Sequence, residues 1–133
     1  MRRTRLIIPV LVMVAFIASF AYAEEGVEIT DAYTMNYNME PADVFEVWDP
    51  VMYNVDYTVT GSRKYNVVII IKSMGDTLRE VRKRVRAGSY THLNTNLARD
   101  DEVGTHTVTY KVKLKKGGLL DQDSTTSEIT VIE

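Results

Sequence analysis

Val51-Met52-Tyr53-Asn54-Val55-Asp56-Tyr57-Thr58-Val59-Thr60 alternates without a break between large apolar residues and polar or small ones. Val51, Tyr53, Val55, Tyr57 and Val59 share one parity, and Met52, Asn54, Asp56, Thr58 and Thr60 share the other. Successive side chains of a strand point to opposite faces, so this pattern predicts a strand with one buried face. β-branched and aromatic residues suit that pleated, half-buried surface. Gly61-Ser62 then ends the run.

The same period recurs along the chain. Thr107 to Leu114 places Val108, Tyr110, Val112 and Leu114 inward and Thr109, Lys111 and Lys113 outward. Val67 to Ile71 is a continuous β-branched run, which reads as a central strand covered on both faces. Val27 and Ile29 open an early strand, and Ile129 and Val131 form a short last one. Met74-Gly75-Asp76 and Gly117-Gly118 supply hairpin turns. Pro41 and Pro50 keep residues 40 to 50 out of a central strand. That segment reads as a packed loop or short edge strand burying Val44, Phe45, Val47 and Trp48.

Residues 77–88 carry two readings. Thr77-Leu78-Arg79-Glu80 fits a helix capping box, with Gly88 as the stop. But Arg79, Arg82, Lys83, Arg84 and Arg86 face a single acid, Glu80, so a short helix would repel itself. As a strand, Val81 and Val85 share one side and the cations blunt an exposed edge. The strand is favoured. Strands near 27–35, 51–60, 65–73, 78–86, 90–97, 105–115 and 127–132 then give about seven. The expected fold is all-β, a single antiparallel sandwich.

The size and strand count match an immunoglobulin-like sandwich. Trp48 before an alternating strand, and Gly104-Thr105-His106-Thr107-Val108-Thr109-Tyr110, carry the resemblance. The second stretch resembles the turn into the penultimate strand of bacterial immunoglobulin-like and fibronectin-type-III-like modules. In such modules an aromatic residue often braces this corner, a role the resemblance gives to His106. It also implies adhesion, assembly or ligand display at a cell surface. No cysteine pair accompanies it.

The N-terminus sets the compartment. Arg2, Arg3 and Arg5 precede an apolar stretch, Leu6 to Phe20, and Ala21-Tyr22-Ala23 is a small-x-small cleavage site. Residues 1–23 therefore read as a cleaved secretory signal and residues 24–133 as one exported domain, periplasmic or extracellular. An uncleaved anchor is the alternative. The absence of cysteine excludes disulfides, thiol catalysis, thiolate metal sites and a lipidated cysteine anchor. Without the signal the chain holds 13 basic and 18 acidic residues, net −5. The charge is lopsided. Residues 24–60 contain nine acids and no Lys or Arg, whereas residues 61–133 contain 13 basic and nine acidic residues. Such halves either neutralise each other in the fold or leave a dipolar surface.

Catalytic motifs are missing. His92 and His106 lack zinc-type spacing, and neither a G-x-S-x-G elbow nor a phosphate-cradling glycine loop is present. The expectation is a noncatalytic chain with no cofactor. Asp121 and Asp123 in a polar loop, 121–127, and Asp100-Asp101-Glu102 raise a calcium-binding alternative. Met35 and Met39 read as packing residues rather than copper ligands. The leading expectation is an exported interaction module binding a protein partner at the cell envelope. The alternative is an anionic glycan or lipid bound through Arg82, Lys83, Arg84 and Arg86, since arginine offers paired donors to phosphate and carboxylate. Nucleic acid is not expected for an exported acidic domain.

Overall fold

A computed structural model describes residues 24–133. The expected signal, residues 1–23, lies outside the described residues. Eight strands form the described chain: β1 (Gly26–Met35), β2 (Val44–Glu46), β3 (Pro50–Thr60), β4 (Tyr65–Ser73), β5 (Asp76–Val85), β6 (Gly88–Leu97), β7 (Gly104–Lys116) and β8 (Gly118–Ile132). A 3-10 turn, Asp100–Glu102, precedes β7. Among the described residues no helix is long and apolar enough to cross a membrane.

The strands make two sheets, one ordered β1-β3-β6 and the other β2-β8-β7-β4-β5. The inner parities of both meet in one core. Val51, Tyr53, Val55, Tyr57 and Val59 of β3 face Val67, Ile69 and Ile71 of β4 and Val108, Tyr110, Val112 and Leu114 of β7, all buried. Each fully buried aliphatic side chain contributes about 1.5–3 kcal/mol, which lets the domain stand without disulfides. Tyr57 stacks on Tyr90 of β6 with ring centroids 5.6 Å apart, joining the edge of the small sheet to the core.

One expectation left with two readings resolves to the favoured one, and three others change. The ambiguous segment is a strand, β5, paired antiparallel with β4 from Tyr65↔Val85 to Ser73↔Asp76. Its hairpin turn has positive φ at both Met74 (53°) and Gly75 (83°), a geometry whose twist matches the flanking strands. The strands are not wholly antiparallel, because the short edge strand β2 runs parallel to β8. The last strand begins at Gly118 rather than 127, so the expected polar loop at 121–127 is strand. Asp121, Asp123 and the polar run around them conceal it in the sequence, since Asp is depleted in strands and no apolar alternation marks the segment. Trp48 is 58% exposed, and Val44 is exposed too, while Phe45 and Val47 pack on the core. A tight turn explains this: Trp48 has φ 74°, and its N–H donates to the Ala98 carbonyl, which turns the indole outward.

The two lateral seams between the sheets differ. On one side β1 and β8 are stitched by side chains. The Asp121 carboxylate accepts from the Val27 amide at 2.9 Å, and the Asp123 carboxylate accepts from the Ile29 amide at 2.8 Å. Both aspartates share the inner parity of β8, opposite Leu114 and Val112. On the other side β5 and β6 are edges of different sheets with no ladder between them.

Candidate anion-binding face

The outer face of the five-stranded sheet is built by register. Cross-strand rows run Arg84–Asn66–Lys115, Arg82–Val68–Lys113–Gln122, Glu80–Ile70–Lys111–Ser124 and Lys72–Thr109–Thr126. These four rows present six cations (Lys72, Arg82, Arg84, Lys111, Lys113, Lys115) against one carboxylate, Glu80. Neighbouring strands lie about 4.8 Å apart, and successive residues on one face are separated by about 7 Å. Both spacings fall within a Debye length of about 10 Å, so the positive fields add.

The alternation of β7 creates half of this face. Val108, Tyr110, Val112 and Leu114 must bury, which forces Thr109, Lys111 and Lys113 outward as half-buried side chains, with Lys115 joining them opposite Asn66. Val68 and Ile70 of β4 share this outward parity, and Val68 is only 4% exposed. The sequence pointed to a strand covered on both faces. Arg82 and Lys113 flank Val68 in register, and side chains of this kind cover apolar surface with their methylene stems while the charged heads stay in water. Two depressions mark the face. One, of about 490 Å³, is lined by Asn66, Val68, Arg82, Lys83, Arg84, Lys115 and Gly117. The other, of about 200 Å³, is lined by Ile70, Lys72, Thr109, Lys111 and Lys113. Polar anion oxygens above these depressions would meet converging N–H donors, with a small apolar floor for a sugar ring or acyl segment.

The arginine segment singled out in the sequence is therefore split. Arg82 and Arg84 lie on this face. Lys83 has the opposite parity, beside Val67, and Arg86 lies past the strand end, where its carbonyl accepts from the Tyr90 hydroxyl. Arg82 is paired with Glu80 at 3.3 Å, both exposed, an ion pair that water weakens. Lys72, Lys111, Lys113 and Lys115 were missed as members of one site. The outward lysines were readable from the alternation of β7, but nothing local places β7 beside β4 and β5.

The opposite outer face carries the other sign. On β1 and β3 it presents Glu28, Asp31 and Asp56, with no Lys or Arg on β1, β3 or β6. The charge asymmetry of the sequence thus becomes opposite outer faces rather than mutual neutralisation.

The acidic positions considered for calcium have other roles. Asp121 and Asp123 are the stitches to β1. Glu102 accepts from the Arg99 amide at 2.7 Å, and Asp101 pairs with Arg99 at 3.3 Å. Among the described residues no three His, Asp or Glu side chains converge as a metal would need. His92 lies on β6 and His106 on β7, in different sheets, each with a buried Nε2 that has no hydrogen-bond partner among the described residues. His106 therefore does not brace the corner through Nε2.

No protein-family profile matches the chain. No curated protein matches it either. Among solved structures, a β-glucosidase from Listeria innocua superposes with a TM-score of 0.48 at 10% identity, covering 84% of this chain. The chain spans 16% of the length of that enzyme.

Proposed function

We propose that this chain is an exported, noncatalytic β-sandwich binding module whose basic sheet face docks an anionic polymer or surface of the cell envelope. The observation that carries the reading is the gathering of Lys72, Arg82, Arg84, Lys111, Lys113 and Lys115 in four neighbouring rows of one outer face, where Glu80 is the one acid and Glu128 stands in the next row, opposite Thr107. Like charges at these spacings repel, so the arrangement costs stability unless a ligand offsets it. Exposed pairs are worth little singly. A repeating polyanion engages many at once, and its affinity grows by linkage rather than by any single contact.

The sheet orders favour the immunoglobulin-like reading of the fold. Taking β1, β3, β4, β5, β6, β7 and β8 as strands A, B, C, C′, E, F and G gives A-B-E packed on G-F-C-C′, with β2 added beside G. In that frame the docking face is the outer surface of the larger sheet.

The shared chemistry is multivalent carboxylate or phosphate, and two probes separate its sources. Polygalacturonate presents carboxylates on a glycan, and phosphatidylglycerol vesicles present phosphates on a membrane surface. The expected result is co-sedimentation with one of these, weakened by salt and abolished by R84E/K111E/K113E. Binding unchanged by that charge reversal would remove the proposal. A second reading, a protein partner at the envelope, is favoured by a different observation, the uncharged free edge of β6.

A further inference from the structure

β6 is the open edge of the three-stranded sheet and runs ten residues, Gly88–Leu97. Every second residue of such an edge directs its N–H and C=O away from its only neighbour, here β3. Native edges are guarded by charge, proline, bulges or covering segments. β5, the edge of the other sheet, follows this rule with four cations in ten residues. β6 carries no Lys, Arg, Asp, Glu or Pro, and its pairing with β3 runs from Pro50↔Leu97 to Val59↔Gly88 without a bulge. The two free edges lie on the same side of the molecule, opposite the seam that Asp121 and Asp123 stitch shut.

The three-stranded sheet is too narrow for its partner. β5 overhangs it, and its inner parity presents Arg79, Val81, Lys83 and Val85, opposite Ile71, Ile69, Val67 and Tyr65 of β4. Val81 and Val85 are half-buried, and neither Arg79 nor Lys83 has a carboxylate partner among the described residues. His92, at 9% exposure, faces this overhang from the inner parity of β6. Burial, with Lys83 and Arg79 adding to it, holds its imidazole below the ordinary histidine range. The open seam therefore combines unpaired backbone, a partly buried apolar strip and uncompensated positive charge.

We infer that the β6 edge accepts an extended segment of another protein as a fourth strand, with carboxylates at alternate positions that reach Arg79 and Lys83. Such a strand satisfies the outward backbone groups of β6 and slides under β5, covering Val81 and Val85. Its inward side chains meet Arg79 and Lys83, spaced four residues apart on one strand, so acids two inward positions apart are in register with them. A second copy of β6 is a poorer occupant, because its inward residues Tyr90, His92, Asn94 and Asn96 bring no negative charge to the cations. Arg79 and Lys83 have the opposite parity from Arg82 and Arg84, and although Lys83 also lines the depression beside Asn66, Lys111 and Lys113 belong to the basic outer face alone and separate the two sites experimentally.

The test uses synthetic ten-residue peptides that alternate Thr or Val with Glu, and a matched set with Lys in place of Glu. The isotope-labelled protein is titrated with each and read by amide shifts and hydrogen exchange. The expected result is exchange protection at alternate β6 amides with the Glu peptide, and binding at least ten-fold weaker with the Lys peptide. R79E/K83E should reverse that preference, and K111E/K113E should leave it intact, which separates this site from the basic face. Thr95→Pro, which removes an edge donor, should weaken binding while the unperturbed spectrum of β4 and β7 reports an intact fold. Absence of binding at millimolar peptide overturns the inference, as do shifts confined to Lys111 and Lys113 or a preference unmoved by R79E/K83E. Sedimentation showing a dimer whose β6 amides are already protected without peptide overturns it in favour of a second copy.

Discussion

Single residues control the two ends of this domain. Gly61 has φ 141°, and a Cβ there would collide with the Tyr65 hydroxyl. That hydroxyl is the hub of a small network: it donates to Glu25 at 2.7 Å and accepts from the Ser62 amide, while Arg63 pairs with the same carboxylate at 2.7 Å. The Tyr65 and Arg63 hydrogen bonds hold the Glu25 carboxyl below its ordinary range. Gly61→Ala should therefore destabilise the fold by about 1–3 kcal/mol through backbone strain and displacement of Tyr65, seen as a lower urea midpoint. His92 sets a pH response. Burial first, then Lys83 and Arg79, lower its folded-state affinity for protons relative to the unfolded chain, whose histidine titrates near about 6.5. The unfolded state then binds more protons, so this residue's penalty is absent above that pH and grows as pH falls through the folded value. His92→Gln should flatten the fall in stability between neutrality and roughly pH 5, measured by urea unfolding at both. An unchanged slope would assign the acid response to other groups.

At the scale of the element, strand identity was legible wherever one face had to bury. β3 and β7 declared themselves by alternation, and β5 by the cost of packing its cations into a helix. The first half of β8 was hidden, because Asp121 and Asp123 stand at inner positions where the pattern calls for apolar residues. Their carboxylates replace a missing ladder by accepting the β1 amides, an arrangement that exists only after two distant segments meet. Asp121→Ala with Asp123→Ala should remove those two part-buried hydrogen bonds, at a cost of about 1–3 kcal/mol each. Faster hydrogen exchange at Val27 and Ile29 is the direct readout, and the corresponding Asn variants, which keep a carbonyl acceptor, should be milder. Trp48 illustrates the converse error. Its apolar bulk called for burial, but the left-handed turn that lets its N–H reach Ala98 decides where the indole points.

At the scale of the molecule, the charge asymmetry of the sequence becomes two outer faces of opposite sign. The sequence revealed that asymmetry and the arginines of β5, but not the site. Lys72, Lys111, Lys113 and Lys115 join Arg82 and Arg84 only because β4 lies between β7 and β5. Concentrating six cations on one sheet face makes the free protein sensitive to salt. Added salt should raise its thermal midpoint by screening their repulsion, and Lys113→Gln should raise it at low salt and blunt that dependence. A salt-independent midpoint would mean that the cations do not feel one another.

The most direct test of the account is an amide-shift map of the protein titrated with polygalacturonate oligomers. The prediction is a contiguous footprint over Arg82, Arg84, Asn66, Val68, Lys111, Lys113 and Lys115 that fades as salt is raised, with Glu28, Asp31 and Asp56 unmoved. A footprint on the β1-β3-β6 face, or none at any salt while the phosphatidylglycerol arm also fails, would contradict it.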